Sequence, residues 1–70
     1  MSEYVVIYEQ ADDDGWGAYL PDLPGVVAIG PSRSEVAERI QEALSVYAED
    51  LHQRGGSLPA PHHAAGTVAA

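Results

Sequence analysis

Asp12, Asp13 and Asp14 are the densest run of potential ligands in the sequence. Carboxylates bind magnesium or calcium when several converge on one ion. Consecutive residues on a turn diverge, and no calcium-loop spacing follows Asp14, so the run reads as a solvated turn. His62 and His63 are adjacent and His52 stands apart from them. A zinc site needs three or four ligands in fixed geometry, and these histidines read as tail and helix end. There is no cysteine. The serines Ser32, Ser34, Ser45 and Ser57 read as helix cap, helix and tail rather than as nucleophiles. Gly15-Trp16-Gly17 is not the strand-to-helix glycine loop that cradles phosphate. The residues therefore predict no catalytic group, no metal and no cofactor. What remains is a binding chemistry. Trp16 and Tyr19 are either packing residues of a sheet or anchors of an interface, where aromatics are enriched. Pro21 to Gly25 is either a stiff turn or a rigid loop that presents Asp22, Leu23 and Pro24 to a partner at little ordering cost.

Eleven acidic residues against three arginines give a formal net charge of −8. Nucleic-acid binding draws most of its affinity from lysine and arginine on phosphates, so direct nucleic-acid contact is not expected. Basic protein partners are favoured, although acidity also serves solubility alone. No stretch approaches the about 20 apolar residues of a membrane helix, and Met1-Ser2-Glu3 does not begin a leader peptide. A soluble cytoplasmic protein without membrane contact is expected. Seventy residues make one domain. Folds this small usually supplement their core with disulfides, metals or self-association; without cysteine, self-association or a partner chain is the expected supplement.

These residues need elements to hold them. Tyr4-Val5-Val6-Ile7-Tyr8 is β-branched and aromatic, and predicts a strand. Ala11 to Gly15 stops it, with Asp14-Gly15 as the turn dipeptide of a hairpin. Trp16 to Leu20 predicts the returning strand, with Trp16, Ala18 and Leu20 on one face. Pro21 ends it because proline cannot donate to a ladder. Val26 to Ile29 predicts a third strand, closed by Gly30-Pro31. Ser32 and Glu35 form an S-x-x-E capping box at a helix start. Val36, Ile40, Leu44, Tyr47 and Leu51 recur at helical spacing, opposite a charged face. Gly55-Gly56 ends the helix. Leu58-Pro59-Ala60-Pro61 is extended. Thr67 to Ala70 reads as a short final strand or a frayed end; a strand would spare Val68 from standing alone. The fold class is α+β: β-β-β-α, an antiparallel sheet with one helix across one face. The expected division is a core domain over 1–58 and an extended segment over 59–70.

Taken in order, Tyr4-Val5-Val6-Ile7-Tyr8-Glu9, the Asp-Gly hairpin and Tyr19-Leu20-Pro21-Asp22-Leu23-Pro24-Gly25 lead to Gly30. The capped helix with Ala43-Leu44 and the tail Gly56-Ser57-Leu58-Pro59-Ala60-Pro61 follow. This ordered set resembles the HicB-like antitoxin family over about residues 3 to 62, with P-D-L-P-G its best signature. The resemblance implies a partial RNase H-like fold. It also implies binding and neutralisation of a small HicA-type toxin, an mRNA-cleaving ribonuclease whose active site the antitoxin covers. Self-association as a dimer or tetramer is implied as well. Many family members carry a C-terminal DNA-binding domain. None follows here, so a stand-alone or shortened member is expected and direct autorepression is not. The alternative is an orphan oligomeric module without a toxin. Residual nuclease activity is not expected: a two-metal site needs acids converging from separate elements, and the strand acids are Glu3 and Glu9 alone.

Overall fold

The computed structural model describes residues 3–70; Met1 and Ser2, where the domain expected over 1–58 begins, lie outside the described residues. The chain forms β1 (Ile7–Gln10), β2 (Trp16–Tyr19), β3 (Val27–Gly30) and α1 (Arg33–Gln53). The three strands make an antiparallel meander in the order β1-β2-β3. The α+β reading of three strands and one helix is the observed architecture.

Register fixes two faces. Tyr8 pairs with Ala18 and Ala18 with Ala28, while Ile7 pairs with Tyr19 and Tyr19 with Val27. Side chains alternate along a strand, so Tyr8, Ala18 and Ala28 point to one face and Ile7, Tyr19 and Val27 to the other. The first face meets α1, which lies over β2 and β3. Ala18, Leu20, Leu23, Val26, Val36 and Ile40 form the buried core. Tyr8 and Trp16 pack around it from the sheet, Tyr4 and Val6 from the segment before β1, and Ala43, Leu44 and Tyr47 from the helix.

β1 begins three residues later than its apolar run. The β1–β2 register carries Val5 opposite Pro21, which has no N–H to donate, so Tyr4 to Val6 are extended without a ladder. In the first hairpin the Asp14 amide donates to the Ala11 carbonyl at 3.1 Å, and the Ala11 amide to the Gly15 carbonyl at 2.8 Å. The left-handed place falls on Asp14, with φ 67°, and not on a glycine. Aspartate is one of the few side chains that tolerates it.

The helix starts on Ser32, whose Oγ accepts from the Glu35 amide at 3.2 Å. Only half of the expected capping box forms. The Glu35 carboxylate turns along the helix to Arg39, 3.6 Å away, and makes no return bond to the Ser32 amide. At the far end Gly55 has φ 84°; its amide donates to the His52 carbonyl and that of Gly56 to the Leu51 carbonyl. These two bonds are a Schellman motif, which ends the helix by satisfying its last carbonyls.

Residues 57–70 are extended with no helix and no strand. The final strand considered over Thr67–Ala70 does not form in the single chain, and Val68 is exposed. A strand needs a neighbour whose free edge it can pair with, and the sheet of the single chain is β1-β2-β3 without this segment. The nearer half of the segment is docked: Leu58 packs against the core, and the Tyr4 hydroxyl donates to the Pro59 carbonyl.

Candidate functional site: the Pro21–Gly25 loop and the open sheet face

The P-D-L-P-G segment is two tight turns in series. The Leu23 amide donates to the Leu20 carbonyl and the Val26 amide to the Leu23 carbonyl, both at 3.1 Å. Each turn has proline in its second place, where a fixed φ near −65° is pre-set. The second turn has Gly25 in its third place with φ 102°, the geometry of a type II turn, which favours glycine there. Between the turns, Leu23 points inward and is 1% exposed. The string is thus explained by its own conformation: two prolines set the bends, one glycine permits the second, and one leucine plugs the core.

Asp22 has a different task. Its carboxylate accepts from the His62 amide at 3.0 Å and the His63 amide at 3.4 Å, and lies 2.6 Å from His63 Nδ1. The side chain of Asp22 is 3% exposed under this cover. Burial pushes its carboxyl upward. The His63 ring, the His62 amide, the His63 charge and the His63 amide outweigh this, and the group sits below its ordinary 3.8. Hydrogen bonds to the charged form of a carboxylate act in that direction. The C-terminal segment is therefore clasped onto the loop. Sequence reasoning missed this contact; nothing local ties a turn aspartate to histidines forty residues on.

The structure does not gather the five expected contact residues into one patch. Leu23 is core and Asp22 is engaged within the chain. Trp16 packs against the core and also lines a hollow of about 420 Å³ with Asp13, Gly17, Ile29, Pro31 and Arg39. Tyr19 and Pro24 are exposed. Tyr19 stands on the uncovered sheet face, in a row with Ile7 and Val27 and beside Ile29. That face is apolar except for Glu9 and has Gly17 at its centre, so a partner can approach the backbone closely. Val27 is 61% and Ile29 76% exposed. Alternation in the third strand contained this signal, but only the position of the helix shows which half of the alternation is left open.

Among the described residues no group of three or more histidines or acids is placed to hold a metal ion. Asp12, Asp13 and Asp14 are all exposed in the hairpin turn. No helix among the described residues is long and apolar enough to cross a membrane.

The sequence matches the family model of the HicB-like antitoxin of bacterial toxin–antitoxin systems over residues 4–70. In fold, the chain is similar to the N-terminal domain of antitoxin HicB from Burkholderia pseudomallei, with a TM-score of 0.71 at 22% identity, covering 89% of this chain and 69% of that one. No curated protein matches significantly. With nearly its whole length under one family model, the chain belongs to the HicB-like antitoxins of bacterial toxin–antitoxin systems.

Proposed function

We propose that this chain neutralises a small HicA-type mRNA-cleaving toxin by binding it, and catalyses no reaction itself. The observation that supports this most is the family match from residue 4 to residue 70. The charge of −8 suits a basic ribonuclease, since opposite potentials speed and orient association. On this reading the partner is a protein and not a nucleic acid. The sheet and helix are a partial RNase H-like scaffold working in the cytoplasm. Tyr19 and Pro24 contact the toxin directly, and Trp16 contributes through the hollow beside Ile29. Asp22 and Leu23 hold the loop in shape. The chain also self-associates, which supplements a core of few residues.

The test is co-expression with a HicA-type toxin. The two proteins are expected to co-purify and growth to recover. Separate elution with full toxicity would overturn the reading. Tyr19→Ala is expected to weaken the complex tenfold or more if the open sheet face is the docking surface, a change readable by calorimetric titration.

A further inference from the structure

Three of the large exposed apolar side chains border one line on the molecule. Val27 and Ile29 lie on the open face of β3, and Val46, 68% exposed, lies on the flank of α1 that overhangs the same strand. β3 is an edge strand. The Leu20 amide donates to the Val26 carbonyl, so the Val26 carbonyl and the backbone groups of Ala28 turn toward β2, and Val27 and Ile29 turn theirs outward. Among the described residues one bond is made to this outward edge, from Arg39 Nη1 to the Ile29 carbonyl at 2.7 Å. From Gly25 to Gly30 the sequence has no charge. Natural edges are commonly guarded by charge or proline; this one is guarded by Arg39 alone.

We propose that β3 is the self-association edge of the chain, pairing antiparallel with β3 of a second copy about a two-fold axis at Ala28. This rests on the reading of the chain as a self-associating antitoxin and names the surface used. The ends of the strand select the register. Centring the axis on Ile29 would bring Val27 opposite the partner's Pro31, which has no amide to give. Centring it on Val27 would bring Ile29 opposite the partner's Gly25, whose φ of 102° leaves the extended region. Centring it on Ala28 sets Val27 against the partner's Ile29, and the four outward amides and four outward carbonyls of the two strands can pair once Arg39 swings from the Ile29 carbonyl toward the partner's helix.

The layer above agrees. Strands are spaced about 4.8 Å apart, and α1 sits over β2 and β3. A helix midway between them lies one strand spacing from an axis placed half a spacing beyond β3. The two helices are then about 10 Å apart, at the upper end of close helix packing. The flank they share carries Arg39, Glu42, Ala43, Val46 and Asp50. The two-fold reverses one flank against the other, so Arg39 approaches the partner's Glu42 and the partner's Asp50 while Ala43 leaves room near the axis. A flank with its one cation toward one end is complementary to its own inverse, which identifies the occupant as a second copy. The product is one six-stranded sheet with a doubled apolar face.

The full chain is tested by sedimentation equilibrium from micromolar to millimolar concentration, together with single-cysteine cross-linking, which is clean because the chain has no cysteine. A reversible dimer is expected. Val27→Lys and Arg39→Glu are each expected to raise its dissociation constant about tenfold or more, with the monomer fold unchanged by circular dichroism. Under mild oxidation Ala28→Cys is expected to cross-link to a dimer faster than Val27→Cys or Ile29→Cys, because directly opposed non-bonded pairs have Cα atoms about 4.5 Å apart. A monomer at every concentration would overturn the proposal, as would a dimer cross-linked through Val27→Cys or Ile29→Cys but not Ala28→Cys. If such a monomer still neutralised the toxin, this interface would fall and the antitoxin reading would stand.

Discussion

Asp22 and Leu23 are neighbours with opposite surroundings, and each predicts its own experiment. Leu23 is the side chain that fixes the double turn to the core. Leu23→Ala is expected to destabilise the fold by about 2–4 kcal/mol, since a buried leucine loses both transfer energy and packing, as measured by urea denaturation. Gly25→Ala acts on the backbone instead: an L side chain at φ 102° is strained and is expected to cost about 1 kcal/mol or more. Asp22 governs the tail. Its folded carboxyl lies below the ordinary 3.8, so its contribution to docking is fully present above that value. It is lost as pH falls through the lowered folded value, because the folded form holds its proton less tightly. The amide resonances of His62 and His63 are expected to move toward disordered-chain positions in that acid range. In Asp22→Ala they are expected to sit there at neutral pH. Unchanged resonances in the variant would rule out the clasp.

At the scale of elements, α1 is anchored at both ends by local sequence. Ser32→Ala removes the acceptor for the Glu35 amide and is expected to cost about 1 kcal/mol in thermal or urea denaturation. The exposed Glu35–Arg39 and Asp50–Arg54 pairs are expected to contribute little, as solvent-exposed ion pairs do. The elements most legible in the sequence were those whose signals are local. The apolar spacing from Val36 to Tyr47, the Ser32 cap and the Gly55-Gly56 stop all point to the same helix. Trp16 to Leu20 was bounded by an aspartate-rich turn and a proline. What was not legible depended on partners distant in the chain. Tyr4 to Val6 have strand propensity and no ladder, because Pro21 ends the strand opposite. The Glu35 side chain had two available uses, and geometry chose Arg39 over the cap. For Thr67–Ala70 no local residue could tell a paired strand from an unpaired extended segment. In the loop, Pro21, Pro24 and Gly25 announced a turn, but the inward aim of Leu23 follows from two bends in series, which composition does not reveal.

At the scale of the molecule, one helix covers one face of a three-stranded sheet and leaves the other face apolar. A domain of 70 residues buries only about 60% of the surface of its unfolded chain, so an uncovered sheet face is a natural place for a second chain to complete the core. On the proposed function the net charge of −8 speeds encounter with a basic toxin, and the association rate is expected to fall as salt rises while the dissociation rate changes less. The most direct test is an RNA-cleavage assay with the purified HicA-type toxin and increasing amounts of this chain. Cleavage is expected to stop near equal molar amounts of the two proteins. Undiminished cleavage at a tenfold excess of the folded chain would contradict the account.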